Sequence, residues 1–293
     1  MDISFVILHY NAIEDTVKCI KSIQKLKHEP QERISIVIVD NSSPNETGMI
    51  LKGIYEGSED IDVLLLEQNV GFACGNNAGY IYAKEKYNPD FIILSNNDII
   101  IEQDDFIAKI NELYQANHFS VLGPSIYAPY KGVYQNPLRE KEYTIQELKS
   151  LIENYQKKIR IFKILEKTHS YFFLHLIKQI LRRNTMKRSD NLDERFQVVL
   201  HGAFLIMSRD YINIFPHGLC DKTFMYMEED ILFYLCQERG LKMMYSPRIR
   251  VIHNEGASTR NALKSRARKS IFEFENTIQS AYVLLDILNS DNK

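Results

Sequence analysis

The stretch Ile34-Ser35-Ile36-Val37-Ile38-Val39-Asp40-Asn41-Ser42-Ser43-Pro44 decides the fold. Its first six residues are mostly β-branched and apolar, and the run has the length of a strand. It stops on Asp, Asn, Ser and Pro, residues that turn a chain. A continuous apolar run, unlike an alternating one, marks a strand covered on both faces. The pattern recurs on either side. Ile3–Leu8 leads into His9-Tyr10-Asn11, Val63–Leu66 into Asn69-Val70-Gly71, and Phe91–Leu94 into Ser95-Asn96-Asn97-Asp98. Between these runs, Glu14–Leu26 places Val17, Ile20 and Ile23 at helical spacing, and Cys74–Lys86 and Asp104–Gln115 read as helices. The order is β-α-β-α, which predicts an α/β domain with a mostly parallel sheet and helices on both faces. Ligands of such sheets bind beyond the carboxyl ends of the strands. Four polar clusters lie at those ends.

Composition agrees with a folded domain. The chain has 293 residues, 45% of them hydrophobic and 25% charged, and a net charge of −2. That apolar content offsets chain entropy, so disorder is excluded as the main state. Only 12 Gly and 8 Pro exclude collagen-like and low-complexity classes. Cys19, Cys74, Cys220 and Cys236 form no C-x-x-C pair, which argues against zinc knuckles and thioredoxin-type chemistry. Their scatter fits a reducing, cytoplasmic compartment. No basic leader with a small-residue cleavage site opens the chain, so no signal peptide is expected. No apolar run is long enough to predict a spanning helix.

The second half departs from the alternation. Lys149–Arg188 carries 11 Lys/Arg against 2 Asp/Glu, so the rest of the chain is acidic. Within it, Lys157–Arg188 mixes bulky apolar residues with bases and reads as basic amphipathic helices. A strand signal returns at Val198–Met207, interrupted by His201-Gly202-Ala203. Glu228-Glu229-Asp230 then opens a helix to about Arg239. Strands follow near Lys242–Tyr245 and Arg250–His253, and Lys264–Leu288 reads as a long helix. The expected divisions are 1–128, a helical basic insertion over 129–197, 198–260, and a C-terminal helix over 261–293.

The common nucleotide fingerprints are missing. Neither G-x-G-x-x-G after the first strand nor G-x-x-x-x-G-K-[ST] occurs, which argues against an NAD site and excludes a P-loop. The glycines of Gly71-Phe72-Ala73-Cys74-Gly75-Asn76-Asn77-Ala78-Gly79 sit where a loop enters a helix. There they permit close backbone approach, and the helix N-terminus offers N–H groups to an anion or a sugar hydroxyl.

Seven motifs in order resemble family 2 glycosyltransferases of the GT-A (Rossmann-like) fold, in the branch similar to rhamnosyltransferases and to capsule and O-antigen enzymes. They are Val6-Ile7-Leu8-His9-Tyr10-Asn11, Val39-Asp40-Asn41-Ser42-Ser43, the Asn69–Gly79 glycine segment, Asn96-Asn97-Asp98, Gly202-Ala203, Glu228-Glu229-Asp230 and His253-x-x-Gly256-x-Ser258. The resemblance covers about 3–127 and 198–260. It implies inverting transfer of a sugar from a nucleotide-diphosphate donor to a hydroxyl of a saccharide acceptor, with lipid-linked acceptors common among such enzymes.

The chemistry that this implies can be placed on residues. A departing nucleoside diphosphate calls for a hard divalent cation, Mg²⁺ or Mn²⁺. By resemblance, Asn96-x-Asp98 stands for the family's D-x-D, with Asp98 on the metal and Asn96 directed to the ribose or to a metal-bound water. His253 would bind the metal or the diphosphate. Asp40 would contact the nucleoside, with Tyr10 and Asn11 flanking the base. Asn41, Asn69, Gly71, Asn76, Asn97, Gly202 and Ala203 complete the implied nucleotide-sugar site. Arg260, Arg266 and Arg268 would bracket the diphosphate. Inversion needs a base for the acceptor proton. Three successive carboxylates on a helix diverge by about 100° per residue, so one or two of Glu228, Glu229 and Asp230 face the site. Asp230 is favoured as base, Glu229 next. Asn41 and Ser42 read equally as a helix cap, Asp40 less so.

The basic insertion suits an anionic membrane surface, and peripheral association with the cytoplasmic face is expected. Packing of these helices on each other or on a second subunit, in a homo-oligomer, is the competing use. No nucleic-acid module is recognisable. Two rival functions remain: a non-catalytic saccharide-binding or scaffold protein on the same fold, and a sugar nucleotidyltransferase. The latter would need a Gly-rich basic loop after the first strand, where His9-Tyr10-Asn11-Ala12 stands instead.

Overall fold

A computed structural model describes residues 1–167, 191–254 and 263–290, without side-chain detail for 165–167 and 263–267. The first half runs β1 (Asp2–His9), α1 (Ile13–Ile23), β2 (Arg33–Asp40), α2 (Thr47–Ile54), β3 (Ile61–Leu65), α3 (Gly71–Tyr87), β4 (Phe91–Asn96), β5 (Ile99–Ile100), α4 (Phe106–Asn117) and β6 (Val121–Ala128). It continues through β7 (Val133–Tyr134), α5 (Ile145–Lys167), β8 (Arg195–Phe196), β9 (Phe204–Ser208), α6 (Arg209–Ile214), α7 (Glu228–Glu238), β10 (Met243–His253) and α8 (Leu263–Ser290).

The strands form one sheet in the order β3-β2-β1-β4-β9-β6-β10-β5, with β7 on β6 and β8 on β10. Strands β3, β2, β1 and β4 run parallel, as do β6 and β10; β9 lies antiparallel between the two groups. One core layer packs β1, β2 and β4 side chains against Ile20, Ile23, Phe106 and Ile110 of α1 and α4. The other packs Val6, Val39 and Leu94 against Ala73 and Tyr80 of α3, Tyr211 of α6 and Phe233 of α7. Burial on both faces explains the continuous apolar runs. Each wholly buried Ile or Phe contributes about 1.5–3 kcal/mol of transfer free energy.

Several element assignments differ from the sequence reading. The third strand ends at Leu65, and α3 begins at Gly71, so its glycines lie inside the helix. Gly75 and Gly79 approach the sheet: a Cβ on Gly79 would lie 2.4 Å from Val6 Cγ1 and 2.7 Å from Val39 Cγ2. Strand β6 carries Gly123 and Pro124, which hide it from periodicity. Pro124 pairs with Ser246 next to a register shift in β10, where a missing N–H is tolerated. That irregularity also divides β10 into the two shorter runs visible in the sequence.

Of the basic insertion, α5 is described, and its apolar face packs on α8. Phe274 meets Tyr155 and Phe162 at ring centroid distances of 4.7 and 5.7 Å, and Lys163 pairs with Glu275 at 2.8 Å. Residues 168–190 lie outside the described residues. Among the described residues no helix is long and apolar enough to cross a membrane. The described structure also shows four free cysteines, of which Cys19 and Cys236 are buried.

Candidate active site

The site is assembled where β4, β10 and the turn before β9 end together. At the tip of β4, the Asn96 N–H donates to the Ala203 carbonyl at 2.9 Å, joining the Asn96–Asp98 turn to Gly202-Ala203. The Asn254 N–H donates to the Asp98 carbonyl at 2.9 Å, which joins the same turn to the end of β10. His253 Nε2 therefore lies 3.1 Å from Asp98 Oδ1. The imidazole is buried, whereas Asp98 keeps partial exposure.

His253 Nδ1 meets Gln135 Oε1 at 2.8 Å. A proton on Nδ1 donated to that oxygen leaves the Nε2 lone pair toward the Asp98 carboxylate. In that tautomer Nε2 and the Asp98 Oδ1 are two acceptors 3.1 Å apart, close enough to share a metal ion. This is the arrangement in which an outer partner fixes the tautomer of a metal-binding His. Among the described residues no cluster of three or more His, Cys, Asp or Glu side chains forms. The protein thus offers two ligands, one oxygen and one nitrogen. That fits a cation which completes its shell with diphosphate oxygens and water, as Mg²⁺ commonly does.

The three carboxylates at the start of α7 point to three different places. Glu228 is 2% exposed and accepts from Thr223 Oγ1 at 3.2 Å. Burial, and then the neighbouring Glu229 charge, push its pKa up to about 8. Glu229 Oε1 accepts from the Gly202 N–H at 3.0 Å. A Cβ at residue 202 would come within 2.7 Å of that oxygen, so the contact needs glycine. Glu229 keeps partial exposure, yet protein crowds its carboxylate, and burial raises its pKa. Asp230 is ion-paired with Arg139. Burial lowers the Arg139 pKa, while Tyr143 and Glu229 act in the opposite sense.

His201 bridges the two groups. Its ring lies 6.0 Å from that of His253 at 76°, and its Nδ1 accepts from the Ala203 N–H at 3.1 Å. A continuous path of contacts therefore runs from Asp98 through His253 and His201-Gly202 to Glu229. The favoured base on sequence grounds, Asp230, has its carboxylate engaged by a guanidinium. Glu229 is the carboxylate turned to Gly202.

The nucleoside end is built mostly from turns. Asp40 is 6% exposed; its Oδ1 accepts from Ser43 Oγ at 2.5 Å, and its Oδ2 lies over Gly48. Asp40 thus organises the turn into α2. Asn41 donates to Asn69 Oδ1 and the Gly71 carbonyl at 3.1 and 3.0 Å and accepts from Val70 N–H at 2.9 Å. The Asn41 and Asn69 side chains shape the loop before α3. Gly71 has φ +85°, and any Cβ there would strike the Phe224 carbonyl. Asn76 bonds back to the Phe72 carbonyl, and Asn97 donates to Thr16 Oγ1, itself bonded to His9. Tyr10 is 45% exposed, and Asn96 makes no side-chain hydrogen bond among the described residues. Asn11 Oδ1 is enclosed without a donor among the described residues. Tyr10 and Asn96 are members of this group whose side chains make no hydrogen bond among the described residues. Arg260 lies outside the described residues, as does the side chain of Arg266; Arg268 is exposed.

Four residues with no sequence motif belong to this site: Gln135, Asn136, Arg139 and His201. Asn136 donates to the Pro124 carbonyl at 2.8 Å and accepts from the His201 N–H at 3.0 Å. Leu138 and Arg139 pair with Val199. Segment 135–139, assigned from sequence to the insertion, thus reaches His253, His201 and Asp230. The Asn136-Pro137 dipeptide was its only signal.

A family model described as glycosyl transferase family 2 matches residues 4–207, most of the chain. The chain belongs to glycosyl transferase family 2. Among solved structures, S. aureus TarS 1-349 shares 14% identity over 96% of this chain and 72% of that one, with a TM-score of 0.51. TarS 1-349 in complex with UDP gives 15% identity, 94% and 71% coverage, and the same TM-score. A further structure, of S. aureus TarS, gives 14% identity and a TM-score of 0.51, with 94% of this chain but only 43% of that chain covered. At these identities the likeness shows the GT-A fold. No curated protein matches the sequence at a significant level.

Proposed function

We propose that this protein transfers a sugar from a nucleoside-diphosphate donor to a hydroxyl of a saccharide acceptor, with inversion. One observation carries the reading: residues from β4, β10, the 201–203 turn and α7 converge so that Asp98 and His253 lie one histidine ring away from Gly202 and Glu229. Family membership supports it, and one solved relative by fold holds UDP.

In this reading, Tyr10 and Asn11 receive the nucleoside, with the exposed Tyr10 ring flanking the base. Asp98 Oδ1 and His253 Nε2 would hold Mg²⁺ or Mn²⁺, which when bound supplies positive charge against the departing diphosphate. Gln135 fixes the His253 tautomer. Glu229 is the base: its ionised carboxylate takes the acceptor hydroxyl proton as that oxygen attacks the anomeric carbon. The Gly202 N–H orients Glu229, and the Arg139–Asp230 pair keeps the second carboxylate from adding its charge. This reading prefers Glu229 to Asp230.

The test is release of nucleoside diphosphate from a panel of nucleotide sugars with Mg²⁺ or Mn²⁺, with and without saccharide acceptors. Turnover lost in Asp98→Ala and Glu229→Gln while each variant still melts cooperatively supports the reading. Unchanged turnover in both variants overturns these residue roles, and no release from any donor by the parent protein returns the chain to a saccharide-binding or scaffold role.

We further propose that the acceptor is lipid-linked and that α5 meets an anionic membrane on the cytoplasmic side. Ile161 and Ile164 are 52% and 61% exposed beside the exposed bases Lys157, Lys158, Arg160 and Lys163. Co-sedimentation with phosphatidylglycerol vesicles that salt reverses supports this; none at low salt rejects it.

A further inference from the structure

A second concavity, of about 600 Å³, opens on the outer face of β6, β7 and β10 beside the start of α4. It is not the cleft described above. Successive side chains of a strand leave on opposite faces. His253 and Val251 face inward on β10, whereas Arg248, Arg250 and Ile252 alternate outward. Ser125 and Tyr127 of β6 pair with Arg250 and Ile252, and Tyr127 pairs with Tyr134 of β7. Val251 also reaches the concavity, whose lining shares no residue with the cleft of Asp98, Gln135, His253 and Glu229.

Its wall is built. The Gln103 carboxamide bonds both backbone groups of the bulged β10 edge, accepting from Arg250 N–H and donating to the Arg248 carbonyl, each at 2.9 Å. It also donates to Asp105 at 2.8 Å. Arg248 and Lys109 are both paired with Glu112. Arg250 is exposed and makes no ion pair among the described residues. The Tyr127 and Tyr134 rings lie 5.0 Å apart at 42°, and Tyr127 is 36% exposed.

We propose that this pocket binds a segment of saccharide chain, with Tyr127 and Tyr134 against sugar C–H faces and Arg250, Glu102 and Asp105 taking the hydroxyls. A sugar has an apolar face and a rim of groups that both donate and accept. The wall answers with two ring faces, a guanidinium without a carboxylate partner, and two carboxylates. A polyanion would meet Glu102 and Asp105, and an apolar ligand would strip water from the charged groups of the wall without replacing it. The choice of ligand class rests on the transferase reading. The pocket would hold a growing glycan away from the reacting end.

The experiment is binding to a printed array of polysaccharides and oligosaccharides by the intact protein and by Tyr127→Ala, Tyr134→Ala, Tyr127→Phe and Arg250→Gln. The expected result is retention of a set of glycans by the parent, at least tenfold weaker in the alanine variants and kept by Tyr127→Phe. Donor hydrolysis without acceptor should be unchanged in all four. No glycan retained by the parent, or equal retention by Tyr127→Ala, overturns the inference. Should Tyr134→Ala fail to fold, the more exposed Tyr127 carries the comparison. Glycan retention that depends on Tyr127 in a protein that consumes no nucleotide sugar would leave the pocket standing and defeat the transferase reading.

Discussion

Arg139 grips the Asp230 carboxylate while its guanidinium lies 3.7 Å above the Tyr143 ring. The pair joins a loop after β7 to the first turn of α7, and so fixes which neighbouring carboxylate meets Gly202. Glu229→Gln should lower kcat by about 10²–10⁴-fold, the usual worth of a positioned base. Asp230→Asn should retain more turnover but lose about 1–3 kcal/mol of stability, since it weakens the partner of a half-buried cation. Turnover and urea melts of the two variants check this; the opposite ranking of activities would assign the base to Asp230.

The acid limb of the rate profile follows from burial of Glu229. Its raised pKa means that the proton leaves only above the ordinary glutamate range. A base must be ionised, so turnover should fall with decreasing pH at a higher pH than an exposed glutamate would give. A kcat–pH profile reads the limb directly, and a limb at or below the usual glutamate range contradicts the assignment.

Glu228 has the opposite consequence for stability. Its folded pKa of about 8 lies above that of the unfolded chain, so the folded state holds the proton more tightly. Its contribution is fully present below the unfolded value and is lost as pH rises toward about 8. Glu228→Gln should leave the melting temperature unchanged at pH 4 and raise it at pH 8, flattening the profile between. Melting curves across that range decide; an equal shift at both ends would show that titration plays no part.

Chelation with EDTA should abolish turnover, and Mn²⁺ or Mg²⁺ should restore it. Gln135→Leu removes the partner that sets the His253 tautomer, and outer partners of this kind are worth about 10–100-fold in metal affinity. The metal concentration for half-maximal turnover should rise accordingly while the maximum is largely kept. Titration of the metal at saturating donor separates that outcome from a simple loss of kcat.

Gly79→Ala drives a methyl into Val6 and Val39 at the seam between α3 and the sheet. Overpacking of this kind costs about 1–3 kcal/mol. A lowered melting temperature with unchanged donor affinity would show that this glycine serves packing and not the ligand.

The parallel half of the fold was legible because β1, β2 and β4 are covered on both faces and so read as unbroken apolar runs. Strand β6 was not, because Gly123 and Pro124 interrupt it, and a strand of two residues such as β7 leaves no period to find. Asp98, His253 and the acidic triplet stood out by residue type and position. What sequence could not tell was direction. Glu228, Glu229 and Asp230 are adjacent in the chain yet meet Thr223, Gly202 and Arg139, partners set by tertiary packing. The same holds for Asn41 and Asn69, whose side chains bond each other and the loop before α3, partners that no sequence pattern names. Gln135 and Arg139 carry no local pattern; only the folded chain brings them to His253 and Asp230.

Segment 135–139 touches His253 through its first residue and Asp230 through its last. The two halves of the cleft are thus yoked by a single short lever, and a shift of this stretch would disturb the His253 imidazole and the Asp230 carboxylate together. Hybrid enzymes built by exchanging halves of this fold should keep residues 133–139 with the 198–253 half, since a crossover placed after α5 would sever that coupling.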